Sequence, residues 1–191
     1  MNVKGSNRSV VRTQALLKQG LTELMMNKPV QNITVKELTD YVNLNRGTFY
    51  LHYKDIYDLL EHMENDLLDE FLQINNAHGA IEMNGKPYPL LYDLFKFLKK
   101  NLKFAQLILV TNQEQKFVSK LKKILRERMQ SDWNRIFVNA DPVLCEIYSA
   151  YVLSGCIGVI ENWLEAGAVQ SPADLAKDTE QIMIKGLQIL A

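Results

Sequence analysis

A chain of 191 residues, 47% of them hydrophobic, has enough apolar material for one large domain or two small ones. Its formal net charge is zero, its N-terminus is polar with no hydrophobic signal core, and no apolar run approaches the roughly 18 residues of a membrane span. The expectation is a soluble cytoplasmic protein that neither crosses nor binds a membrane.

The charge is unevenly placed. Residues 1–54 carry eight Lys/Arg against three acids, a net +5, and the remainder carries −5. A basic head on an acidic body fits a DNA-binding unit joined to a unit with another task, although a neutral chain as a whole does not suggest a nucleic-acid partner. In chain order, residues 1–7 read as a disordered arm. A first helix follows over Arg8–Asn27, with Val11, Ala15, Leu16, Leu21, Leu24 and Met25 on its apolar side and Gly20 as a tolerated cost. Lys28-Pro29 stops it.

Ile33–Tyr53 holds the most specific signal. Thr34 and Glu37 form a capping-box pattern, in which hydroxyl and carboxylate each satisfy a free backbone N–H. The helix after it, Val35–Val42, places Val35, Leu38 and Val42 on one stripe. Asn43 tolerates the left-handed conformation that ends a helix, and Asn45 can cap the next, Arg46–Tyr50. Gly47 costs helix propensity and so points to close approach of the backbone to something. Thr48, Tyr50, His52 and Tyr53 supply hydroxyls and an imidazole beside Arg46 and Lys54, the donor types used on phosphates and base edges. Leu38, Val42, Leu44 and Phe49 read as core.

Asn45-Arg46-Gly47-Thr48-Phe49-Tyr50-Leu51-His52-Tyr53-Lys54 resembles the recognition-helix signature of tetracycline-repressor-like (TetR/AcrR) regulators. Asn43 stands where members usually carry Gly, and Asn is the usual substitute in a left-handed position. The resemblance implies a helix-turn-helix that enters the major groove. Arg46 is then the candidate for bidentate contact to guanine, with a phosphate as its other reading. Thr48 would meet a thymine methyl or a phosphate, and Tyr50, His52 and Lys54 phosphates. Thr34, at a helix start, offers a further anion position. With Asn45, Gly47 and Tyr53 these make up the expected DNA-binding set.

Asp55 caps a connector helix over Ile56–Asn75, with Ile56, Leu59, Leu60, Met63, Leu67, Leu68 and Phe71 on one stripe. Asn75–Pro89 is the one long loop, rich in Asn, Gly and Pro. Helices follow at Pro89–Lys100 (Leu91, Leu94, Phe95 and Leu98 inward), Lys103–Val110 and Glu114–Phe137. Asp141-Pro142 then starts a helix to Ala166 that Gly167 stops, and Ser171-Pro172 starts a last one to Leu190. No segment alternates at period two over strand length, so the fold class is all-α with about nine helices. The expected domains are a helix-turn-helix head, 1–54, and a body of connector, ligand-binding and dimerisation helices, 55–191. Cys145 and Cys156 lie on one helix, about 16 Å apart along its axis, too far to bond to each other within one chain.

Tyr148–Trp163 is apolar nearly all round, so it must be covered on more than one side. Tyr148–Ala168 followed by Ser171-Pro172 also resembles the C-terminal domain of a Gram-positive subset of the same family. The resemblance implies that the last two helices pair with those of a second subunit, with Ser154, Gly155, Gly158, Trp163 and Leu187 at the homodimer interface. It also implies an internal cavity for a small-molecule effector, for which Phe95, Phe104, Leu107, Phe117, Tyr148, Tyr151 and Glu161 are the candidates. The function implied is a repressor bound to a palindromic operator and released by its effector. An activator or co-regulator acting through a protein partner is the alternative. No Gly-rich phosphate loop, nucleophile elbow or His-Glu-x-x-His pattern suggests an enzyme or a metal, and no cofactor is expected. His62 with Glu61 and Glu64 reads as a wet helix face.

Overall fold

The computed structural model describes residues 3–78, 88–110, 115–136 and 141–185. Among them the chain is all-α, with nine helices: α1 Val3–Met25, α2 Val35–Tyr41, α3 Arg46–Tyr50, α4 Ile56–Ala77, α5 Tyr88–Lys100, α6 Leu102–Ala105, α7 Gln115–Ile136, α8 Pro142–Glu165 and α9 Pro172–Lys185. A single 3-10 turn covers Val30–Asn32, and α6 runs on into a π-helical stretch over Gln106–Val110. The chain divides into two units, Met1–Leu67 and Leu68–Ala191, and α4 contributes to both.

In the first unit α1 begins at Val3, so residues 3–7 are helix and not a disordered arm. Gly5 is the one poor helix former there, and its cost of about 1 kcal/mol is tolerated in a continuing ladder. The buried side of α1 matches the expected one only at Leu21 and Met25. Leu17, Leu21 and Met25 are buried, whereas Val11 and Leu16 are exposed. Gly20 lies on this inward row because α1 meets α2 there. A Cβ at Gly20 would fall on Val42 Cγ1 and lie 3.1 Å from Leu38 Cδ1. The glycine thus sets how closely two helices pack. Leu38 and Phe49 are fully buried between the helices, and Ile56, Leu59, Leu60 and Met63 of α4 are buried in the same unit. Polar braces tie the elements: Lys18 to Asp66, Tyr41 Oη to Glu23 (2.8 Å), and Lys28 Nζ to both oxygens of Glu37 (2.6 and 2.7 Å).

The second unit packs α5 on α9, α7 on α8, and the π-helical stretch on α7 and α8. Gln106 Nε2 donates to the carbonyl of Leu164 (2.7 Å), holding that stretch to the end of α8. The C-terminal end of α4 is anchored twice. The Arg128 guanidinium of α7 donates to the carbonyls of Asn75 and His78, and His78 Nε2 lies 2.8 Å from Asp93 Oδ2 of α5. Asn75–Ala77 continue α4, so the interhelix segment begins later than the expected Asn75; residues 79–87 lie outside the described set. The caps of α8 and α9 follow the sequence reading. Asp141 accepts from the N–H of Val143 (2.9 Å), and Ser171 Oγ accepts from the N–H of Asp174 (3.1 Å). Gly167 (φ +75°) and Ala168 (φ +53°) close α8 in left-handed conformations. One expectation is overturned here: α8 is long and apolar enough to cross a membrane by length and composition. The uninterrupted apolar runs are short, but the Ser, Gly and Cys between them cost little, and no charge falls between Glu146 and Glu161.

Candidate nucleic-acid interface

The turn between α2 and α3 is built as the residues dictate. Thr34 caps α2 and its hydroxyl accepts from the N–H of Glu37 (3.1 Å). The Glu37 carboxylate grips Lys28 instead of closing the capping box. Asn43 takes the left-handed conformation (φ +53°), and the N–H of Leu44 reaches back to the carbonyl of Thr39 (2.9 Å). Asn45 caps α3, accepting from the N–H of Gly47 at 2.8 Å. Asn45 is therefore occupied by the cap, which orients α3.

α3 has a buried and an open side. Phe49 points inward and meets the edge of the Tyr50 ring at 5.5 Å and the tilted Tyr53 ring at 5.8 Å. Thr34, Asn45, Arg46, Gly47, Tyr50 and Lys54 are exposed, and Thr48 and His52 half-exposed. A Cβ on Gly47 would meet nothing closer than Asn45 Oδ1 at 3.4 Å, so no packing inside the chain demands a glycine there. Tyr53 is different. It is buried, stacked edge-on with His62 at 5.3 Å, and burial pushes its phenol above the ordinary range, with Asp66 and Asp58 adding to the shift. Tyr53 belongs to the head's interior and not to the outer row. Aromatic type alone did not separate it from Tyr50. One exposed residue was missed, Leu51, which directly follows α3 and is 81% exposed. Its spacing of four from Gly47 was the available signal.

Of the expected effector residues, Phe95, Leu107 and Phe117 are buried, and Phe104, Tyr148 and Glu161 half-buried. The Tyr148 hydroxyl donates to the carbonyl of Met183 (2.8 Å), strapping α8 to α9, and burial raises its ionisation range. Tyr151 is 67% exposed and lines no interior. Trp163 is corrected in the opposite sense. It is buried inside its own subunit, edge-on to Phe95 at 5.6 Å, with its indole N–H donating to the carbonyl of Gln170 (3.0 Å). Ser154, Gly155 and Gly158 are exposed, and a Cβ on either glycine would touch nothing within 4 Å. Leu187 lies outside the described residues. Among the described residues no group of three His, Cys, Asp or Glu could hold a metal ion.

An all-α chain with a capped two-helix turn whose second helix displays Arg46, Thr48 and Tyr50 outward is a helix-turn-helix protein of the transcription-regulator class. The profile of a family described as "Transcriptional regulator C-terminal region" matches residues 85–185. The chain belongs to the tetracycline-repressor-like (TetR/AcrR) family of DNA-binding transcription regulators, which are not enzymes. A relative from Bacillus subtilis (strain 168), the uncharacterized HTH-type transcriptional regulator YxbF, is 23% identical over 180 residues. The match covers 89% of this chain and 44% of the relative, so this chain spans less than half of that protein's length. Among solved structures, the fatty acid degradation regulator FadR from Bacillus halodurans aligns with a TM-score of 0.68 at 16% identity, covering 92% of this chain and 96% of that one. FadR from Bacillus subtilis, in complex with stearoyl-CoA, aligns with a TM-score of 0.63 at 12% identity, over 90% and 98% of the two chains. At these identities the likeness is one of fold.

Proposed function

We propose that this chain represses transcription by binding a palindromic DNA operator as a homodimer in the cytoplasm, and that a small-molecule effector held in the body releases it. The observation that carries this is the outer side of α3: Arg46 and Tyr50 stand out to solvent, with Thr48 half-exposed, on a helix whose inner residue, Phe49, is fully buried. Such a helix offers donors to base edges and phosphates without disturbing its own packing. Residues 1–54 act as the DNA-binding domain and 55–191 as the effector and dimerisation domain.

The second subunit covers α8. Leu144, Ile147, Tyr151, Ser154, Gly155 and Gly158 are all exposed and recur at three- and four-residue steps along one side. This stripe accounts for the apolarity of α8 through a second copy and without a membrane. The two heads of the dimer then address half-sites about one helical turn apart, roughly 34 Å. The effector favours a state in which the heads no longer match the groove spacing, and Phe95, Leu107 and Phe117 are the expected effector residues that the body buries.

A gel-shift series on the DNA upstream of the protein's own gene, at several salt concentrations, tests this reading. The expected result is a specific band whose affinity falls steeply with salt. No specific band at any salt concentration sinks it.

A further inference from the structure

Leu51 is an apolar side chain held out to solvent where the recognition helix ends. Its N–H donates to the carbonyl of Gly47 (3.2 Å) and its backbone is helical (φ −71°, ψ −19°), so it prolongs α3 by one residue. It therefore stands one turn beyond Gly47 on the same side of the helix. That side consists of a bare backbone at Gly47 and a leucine 81% exposed, next to the row of Arg46 and Tyr50. A single exposed leucine is ordinary on a protein surface. This one shares its side with a glycine that internal packing does not require.

The glycine lets the helix approach a surface closely, and the leucine then meets that surface. In the major groove the distinctive apolar feature is the C5-methyl group of thymine; the remaining features of the base edges are hydrogen-bond donors and acceptors. We propose that Leu51 is a specificity-determining residue that reads a thymine methyl, while Gly47 provides the clearance that brings it into reach. The inference rests on the helix-turn-helix reading and adds to it an apolar contact beside the polar ones.

The test uses the full-length protein. A preferred site is first selected from random duplexes, and each thymine is then replaced in turn by uracil, which removes only the methyl group. With the wild-type chain, one thymine in each half-site is expected to weaken binding by about fourfold on replacement, the factor for losing one buried methyl. Leu51→Ala is expected to bind the thymine and uracil duplexes alike, while still discriminating the base set by Arg46. Because Leu51 is exposed, the variant should melt with the wild type, which a thermal scan verifies. Equal uracil sensitivity in both proteins, or none in the wild type, overturns the assignment. Failure of the wild type to select any sequence overturns the helix-turn-helix reading itself, and this inference with it.

Discussion

At the scale of single residues, Gly20 is a position in the head where the smallest possible enlargement is resisted. Alanine in a helix interior ordinarily gains about 1 kcal/mol over glycine. Here the added Cβ falls on Val42 Cγ1, and a β-branched side chain has few rotamers into which to retreat. Overpacking of this kind costs about 1–3 kcal/mol, so it outweighs the propensity gain. Gly20→Ala is expected to lower the melting temperature by a few degrees, and Gly20→Ala with Val42→Ala to recover most of the loss. A double-mutant cycle by thermal unfolding checks this; additive losses would place the strain elsewhere. A second residue-scale prediction concerns Cys156. Its Sγ lies 3.8 Å from Met183 Sδ, and burial raises its thiol to about 11. The thiolate, which is the nucleophile, is therefore scarce at pH 8 in the folded protein. Alkylation of Cys156 by iodoacetamide should be slow at pH 8, accelerate as pH rises towards 11, and become fast at pH 8 once the protein is unfolded in urea. The same group destabilises the fold on the alkaline side. Its raised value leaves stability intact below the unfolded thiol range and removes it as pH climbs through the folded one.

At the scale of elements, α8 gives the cleanest test of assembly. A Cβ at Gly158 meets nothing within 4 Å beyond its own helical turn, and the position is exposed, so a larger side chain there points into open space on the subunit surface. Gly158→Leu should therefore leave the subunit folded, with an unchanged helical circular-dichroism spectrum, while pushing two facing helices apart. On size-exclusion chromatography the expected outcome is a shift from dimer to monomer, and an unchanged dimer moves the interface away from α8. α8 also shows why some features were legible in the chain and others were not. Its start at Asp141-Pro142, its stop at Gly167, and the α2 and α3 boundaries all follow from local backbone chemistry, which a sequence carries in full. Which side of a helix faces inward depends on neighbours distant in the chain. Trp163 and Tyr151 were both aromatic residues on an all-round apolar helix, and only packing against Phe95 sends one inward and leaves the other out. The inward row of α1 was legible only at Leu21 and Met25 for the same reason, because it includes a glycine, Gly20, with no hydropathy signal of its own. The same limit applies to Tyr53, which differs from Tyr50 by the partners it finds and not by its type.

At the scale of the whole molecule, the proposed dimer would place two heads on one duplex. Each 1–54 segment carries a net +5, so a dimer brings two such charges to a polyanion while the bodies remain acidic. A dimer that neutralises about six to ten phosphates should lose roughly 10³–10⁵ in affinity between 50 and 200 mM salt. The exposed cations of the motif then divide by role. Lys54 is exposed and its own N–H is engaged by Asp58 (2.9 Å), which fixes the backbone from which its ammonium reaches outward. Lys54→Ala is expected to weaken binding to all sequences alike and to flatten the salt dependence by about two ions per dimer, one from each head. Arg46 begins α3 on its open side, with the planar fork that guanine O6 and N7 accept. Arg46→Ala should therefore cost about 1–3 kcal/mol on the preferred site and much less on unrelated DNA, relaxing sequence preference. Parallel titrations of both variants on a selected and a scrambled duplex, each at several salt concentrations, separate the two roles. Uniform loss on both duplexes for Arg46→Ala would make Arg46 a second phosphate contact and shift base reading to Thr48, Tyr50 and their neighbours on the open side of α3.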